Sequence, residues 1–374
     1  MADVIPFKGL FYNDKLVQGD DVSAPPYDII TPEDREALYE KSPYNIVRVD
    51  FGKTYQKDNP RDNQYVRASQ FLRDWLDKGV IVQDDKPAFY GYEMRYSVNN
   101  VEKRMLGFIG LVRLEEIGKG SIYPHEMTRS KPKADRMNIM RYCRANISPV
   151  FGLYSCPDKR LQPILTTEPE KTIIQAVDSD RVFHRLWGIY DSTALNEITE
   201  TMRDKEIFIA DGHHRYETAL EFKAQLEANE GIIAGTQPYD FVMMFLTNMD
   251  EEGFTLFPTH RLIDGIDESR LLETLAARCE IQRLDLSALT DEEAVKKLLE
   301  AIGNEKKRFG FYSAALNAFY VLTMPPNLAP LDGPEVLKGL DVSALHDGLL
   351  DSLLKPNEIA FEMDPLVALA KVKQ

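Results

Sequence analysis

Ile207-Phe208-Ile209-Ala210-Asp211-Gly212-His213-His214-Arg215-Tyr216-Glu217 changes its hydrophobic period partway along. Ile207 to Ile209 read as a short apolar strand, Gly212 sits in a tight turn, and a helix begins near His213. The helix runs from Tyr216 to about Asn229, with Tyr216, Ala219, Leu220 and Leu226 on one face. A strand that turns directly into a helix presents backbone N–H groups and a positive helix end, which is where an anion binds. Two of the chain's six histidines and one arginine add donors suited to phosphate. Asp211 breaks the cationic pattern. It can hold Mg²⁺, orient a histidine or act as a base. The plain alternative is a helix cap formed by Asp211, with both histidines on the surface. Zinc is disfavoured, because adjacent helical residues point about 100° apart and no His-Glu-x-x-His pattern exists.

Outward from this segment, strands and helices are mixed rather than strictly alternating, which predicts an α+β fold with mixed sheets. Thr31 caps a helix that has Pro32 in its first turn, followed by Glu33 and Asp34. Asn45 to Phe51 alternates as a strand. Ala68, Phe71, Leu72, Trp75 and Leu76 recur at helical spacing, and Gly79 closes that helix. Ala88 to Tyr96 and Arg104 to Leu114 form a hairpin turning at Val98-Asn99-Asn100. Val150 to Tyr154 and Phe241 to Leu246 are strands, and Thr193 to Arg203 is a helix. Helices near 267–278 and 291–302 precede a second hairpin, Phe309 to Tyr312 with Ala318 to Thr323. The division expected is a catalytic region over 1–264 and a C-terminal α/β region over 265–374.

The chain of 374 residues has 45 Lys and Arg against 60 Asp and Glu, a formal net charge of −15. Such a surface repels nucleic acid, and a local basic island therefore stands out. Arg129, Lys131, Lys133, Arg136, Arg141 and Arg144 make one, opposed only by Asp135. A phosphate-bearing substrate is the simplest reason for it; the alternative is a solvated basic helix. Just upstream, Pro124-His125-Glu126-Met127-Thr128 offers in Glu126 a carboxylate able to deprotonate a hydroxyl. Pro258-Thr259-His260-Arg261 either completes an anion pocket or ends a strand. Ser23-Ala24-Pro25-Pro26-Tyr27-Asp28 is a loop stiffened by two prolines that can wall a pocket. His184 and His346 show no partner in the sequence. Cys143, Cys156 and Cys279 are too few and scattered for a disulfide framework or a thiolate zinc site, and Cys143 reads as a packing residue. No apolar run of about 18 residues predicts a membrane span. With no basic-then-apolar start, a cytoplasmic location is expected.

The segments Ala24-Pro25-Pro26-Tyr27-Asp28, Ser42-Pro43-Tyr44-Asn45-Ile46, His125-Glu126-Met127-Thr128 with Asp135-Arg136, Asn146-Ile147-Ser148-Pro149, Ala210 to Arg215 and Pro258 to Arg261 together resemble a bacterial and archaeal family filed as a domain of unknown function. The Asp-Gly-His-His-Arg segment also resembles the phosphate-binding motif of free serine kinases in the ParB/sulfiredoxin superfamily. That resemblance implies a ParB/sulfiredoxin-like nucleotide-binding core and a kinase that uses ATP, ADP or pyrophosphate with Mg²⁺ to make O-phosphoserine from L-serine. On this expectation Gly212, His213, Arg215, Arg129, Lys131, Lys133, Arg136, His260 and Arg261 hold phosphates. Glu126 is the base, His214 neutralises the transferred group, and Asp211 binds Mg²⁺ or orients His214. His125, Thr128 and Tyr27 face the substrate. Two rivals use the same residues: a phosphatase acting on a small phosphorylated metabolite, and a nucleotide-binding regulator without turnover.

Overall fold

The computed structural model describes residues 2–98, 101–124, 130–230, 237–255, 259–267, 270–303, 305, 307–325 and 341–373. They divide into two units, Met1–Thr255 and Leu256–Gln374. The first contains β1 (Val4–Ile5), β2 (Leu10–Tyr12), α1 (Gly19–Val22), α2 (Pro32–Lys41), α3 (Val47–Asp50), α4 (Gln64–Asp77), β3 (Ile81–Gln83), β4 (Phe89–Val98) and β5 (Val101–Arg113). It continues with β6 (Ile122–Tyr123), α5 (Ser130–Cys143), β7 (Val150–Tyr154), α6 (Gln162–Thr166), β8 (Thr172–Val177), β9 (Phe183–Ile189), α7 (Ser192–Arg203), β10 (Ile207–Asp211), α8 (His213–Glu230) and β11 (Phe241–Asn248).

A mixed sheet of nine strands organises this unit, in the order β6-β10-β7-β11-β5-β4-β9-β8, with β1 also paired to β5. β10 runs parallel to β6 and antiparallel to β7, while β7 and β11 are parallel. The end of β10 therefore lies beside the start of β7, with Asp211 opposite Phe151 after a register shift. Apolar side chains alternate inward from these strands. Val150, Ile207, Ile209, Met244 and Leu246 join Ile198 and Met202 of α7 and Tyr216 and Ala219 of α8 in the main core. The α+β class follows from this mixture of sheet and helix.

Local signals explain most elements. Thr31 and Asp34 form a reciprocal capping box at the start of α2. Asn63 accepts from Tyr65 and Val66 at the start of α4, and Gly79 follows that helix at φ 68°. The β4–β5 hairpin forms as expected, with its tip at Asn99-Asn100 outside the described residues. Residues 45–51 correct the strand expectation, because Val47–Asp50 is a helical turn. Asn45 is the cause. Its side chain accepts from Val47 N at 3.0 Å and donates to the carbonyls of Asp21 and Ser23, which starts a turn rather than a ladder. The apolar alternation is satisfied all the same, since Val47 and Val49 are fully buried. The β8–β9 hairpin was not foreseen from the sequence; its strands pair antiparallel with an irregularity between Thr172 and Ile174.

The second unit has three antiparallel strands ordered β13 (Glu280–Leu284), β15 (Ala318–Thr323), β14 (Arg308–Ser313), and a separate pair, β12 (His260–Asp264) with β16 (Glu358–Glu362). The helices here are α9 (Leu271–Ala276), α10 (Asp291–Ile302), α11 (Asp341–Leu345) and α12 (Pro365–Lys373), with a π-helical stretch at His346–Leu354. No helix among the described residues is long and apolar enough to cross a membrane.

Candidate functional site

The bend after Ile209 is built from backbone strain and an ion pair. Gly212 has φ 90°, and the helix α8 starts at the next residue. Tyr216 N donates to Gly212 O at 3.0 Å, which joins the turn to the first helical turn. Arg215 folds back over the glycine. Its Nη2 pairs with Asp211 and its Nη1 donates to the Pro149 carbonyl, while Nε is buried without a hydrogen-bond partner among the described residues. Tyr216 is fully buried, and its hydroxyl donates to the Glu115 carbonyl at 2.8 Å, anchoring α8 to the loop after β5. His213 is buried and His214 is half-buried, both in the first turn of α8.

A Cβ placed on Gly212 would lie 2.9 Å from Arg215 Nε and 3.0 Å from its Cζ. Gly212→Ala is therefore expected to lose about 1–3 kcal/mol of stability, from the left-handed backbone and from displacing Arg215. Urea unfolding checks this. An unchanged midpoint would mean that the turn relaxes freely.

The basic segment joins this bend through α5, which packs on α8 and on α4. Lys133 pairs with Glu217 of α8 and lies 3.6 Å from Glu221. The hydrogen bond to Glu217 holds the lysine's pKa above its ordinary value. One turn on, Arg136 is almost completely buried. Its Nη1 donates to Asp50 Oδ1 and its Nη2 to Asp50 O, both at 2.6 Å, and its Nε and Nη2 reach Asp135 Oδ2 at 3.0 and 2.6 Å. Burial opposes its charge, but the carboxylates of Asp50 and Asp135 outweigh that and raise its pKa. The network extends outward at both ends. Ser148 Oγ donates to Asp50 Oδ2 at 3.0 Å, and Tyr65 Oη donates to Asp135 Oδ1 at 2.9 Å.

Tyr27 closes the arrangement. Its ring lies 3.7 Å from Arg136 Cζ, a close cation–π contact. Burial pushes the phenol's pKa up, Arg136 pulls it down, Asp28 pushes it up, and Arg215 pulls it down, with a net rise. The tyrosine thus feels both guanidinium groups. The loops holding Tyr27 and Ser148-Pro149, the helix α5 and the Asp211–Arg215 bend meet in one place.

Of the residues expected from the sequence, Asp211, Gly212, His213, His214, Arg215, Lys133, Arg136 and Tyr27 gather here. Lys131 is in the first turn of α5. His125, Glu126, Thr128 and Arg129 lie outside the described residues. His260 and Arg261 belong to β12 in the second unit. Burial and then Arg261 lower the His260 pKa, and Arg261 Nε donates to His346 at 3.0 Å. That contact gives His346 a partner the sequence did not reveal. His184 also has partners: it bonds to Tyr92 Oη at 2.7 Å and Asp178 at 3.0 Å. Arg136 was expected to hold phosphate, yet its guanidinium is engaged with carboxylates and supports Tyr27. Asp50 was missed. It reads as one polar residue in an alternating run, and its partner Arg136 is 86 positions away. Cys143 is half-buried against the α4 cluster, and burial pushes its thiol up to about 11, which suits packing rather than nucleophilic attack.

The model of a family described as "Protein of unknown function (DUF1015)" matches residues 4–343. No curated protein and no solved structure matches the chain.

Proposed function

The chain belongs to the DUF1015 family, and from that premise we propose that it is a phosphotransferase which moves a phosphoryl group from a nucleotide or pyrophosphate to the hydroxyl of free L-serine. One observation carries the reading: the turn at Gly212 opens the long helix α8 beside a basic helix, and Tyr27 stacks on Arg136 within reach of the Arg215 charge. A phosphate at the start of α8 would meet the N–H groups of its first turn, with the Arg215 guanidinium lying beside it over Gly212. The choice of acceptor rests on the likeness of Asp211–Arg215 to the free serine kinases, and a ParB/sulfiredoxin-like nucleotide core is part of the same reading.

Each residue then has a role. Gly212 and His213 hold donor phosphate. His214 offsets charge on the group in transit, and Lys133, beside Glu217, stands at the donor's remaining phosphates. Arg136 is a positioning residue that fixes Tyr27 against the substrate. The serine oxygen attacks phosphorus, the bond to the donor's bridging oxygen breaks, and Glu126 takes the hydroxyl proton. Such catalysis is mostly positioning and electrostatics and needs no covalent nucleophile. Mg²⁺ bound with the donor would supply neutralisation of its phosphate charge. Asp211, with its carboxylate half-exposed, would supply one ligand to it, and no group of three or more acidic, His or Cys side chains that could hold a metal is gathered among the described residues.

The test incubates the protein with Mg²⁺ and L-serine and, in turn, ATP, ADP and pyrophosphate, followed by mass spectrometry. Phosphoserine formed with one of these donors is expected. If none of them gives product, or if phosphoserine without a donor releases phosphate instead, the kinase reading fails.

A further inference from the structure

Four strands from β10 in the sheet order, one face of the large sheet carries a second concentration of arginine. Glu93 and Arg95 are two apart on β4 and so share a face. Arg185 of β9 is the cross-strand partner of Glu93, and Arg104 of β5 is the partner of Arg95. Glu93 is completely buried. Arg95 Nε donates to Glu93 Oε1 at 2.9 Å, Arg104 Nε donates to the same oxygen, and Arg185 Nε lies 2.9 Å from Oε2. Burial pushes the Glu93 pKa up, but the hydrogen bonds from Arg95 and Arg104 outweigh it and bring the pKa below the ordinary glutamate value.

Holding a buried carboxylate does not call for three guanidinium groups, because one bidentate fork satisfies both oxygens. Beyond Glu93, the nearby carboxylates are Glu168, which pairs with Arg185, and Glu102, two residues before Arg104, whose charge acts on Arg95. Glu168 reaches Arg185 Nη1 at 2.8 Å but is itself 78% exposed, so water screens that pair. The arrangement is also directional. The Nε–H groups of Arg95 and Arg104 turn inward to Glu93 Oε1. The side chains of Arg95 and Arg104 remain 44% and 41% exposed, and their Nη groups meet no partner among the described residues. Aromatic rings steady two of the forks, with Arg95 Cζ 5.3 Å from the Phe183 ring and Arg185 Cζ 5.3 Å from the Trp187 ring.

We propose that Arg95 and Arg104, braced on Glu93 with Arg185 beside it, form a binding site for a phosphate group, separate from the Asp211 bend. Arg95 and Arg104 are direct cross-strand partners, and their two adjacent outward forks suit a tetrahedral oxyanion. The site does not depend on the chemistry assigned to the bend.

Trp187 provides a local readout. The chain has two tryptophans, so Trp75→Phe leaves Trp187 as the only indole. Its fluorescence is followed while inorganic phosphate is added at constant ionic strength, with glycerol phosphate in a parallel titration. A saturable change with either is expected; the comparison tells free anion from monoester. Adding Arg95→Gln and Arg104→Gln together is expected to weaken binding at least about tenfold. Should Trp75→Phe fold poorly, arginine Nε–H resonances of the otherwise unchanged chain report the same event. The absence of a saturable response to both anions, or equal affinity in the double arginine variant, overturns the proposal.

Discussion

Arg136→Leu is expected to cost about 3–5 kcal/mol of stability, because it leaves Asp50 as a buried and uncompensated carboxylate. Asp50 is 7% exposed and Arg136 4%, so solvent cannot repair the loss. In a unit of this size that corresponds to a fall in Tm on the order of 10 °C. Asp50→Leu in the same chain should recover part of the loss, since removing both charges costs less than removing one. The positioning role adds a second signature. Tyr27 loses the cation it rests on, so any activity that depends on Tyr27 should fall in the double variant even where stability returns. Thermal unfolding of both variants decides the first point. A drop of less than about 1 kcal/mol for Arg136→Leu would mean that the network relaxes onto water.

Asp211→Asn should leave the fold standing and stop turnover. The side chain is 54% exposed, and an ion pair in that setting contributes only about 0–1 kcal/mol. Loss of a carboxylate that binds Mg²⁺ or orients His214 lowers the rate by about 10²–10⁴-fold, because its effect falls on the transition state. The contrast between a small stability change and a large rate change separates a catalytic aspartate from a cap. If phosphoserine forms at the parent rate in the variant, Asp211 has no part in the chemistry.

The bend was legible because it is local: an apolar strand, a glycine and a helix follow one another within a few residues. Caps were legible for the same reason, as at Thr31 for α2. What escaped were features created by distant partners. Asn45 turns the chain at Val47–Asp50 by bonding to the carbonyls of Asp21 and Ser23, which a reading of alternation cannot weigh. The basic island was visible as composition. That Arg136 faces Asp50 of α3 and Lys133 faces Glu217 of α8 became apparent only once those helices were brought to α5. The same holds for Glu93, whose three arginines come from three strands.

The most direct test of a common anionic guest is selective amide and lysine NMR during a titration with pyrophosphate. The N–H resonances of Gly212 and His213 and the ammonium resonance of Lys133 are expected to shift together, along one saturation curve with one Kd. If only one of the two groups responds, or if they respond with different Kd values, the bend and the basic helix do not hold the same ligand.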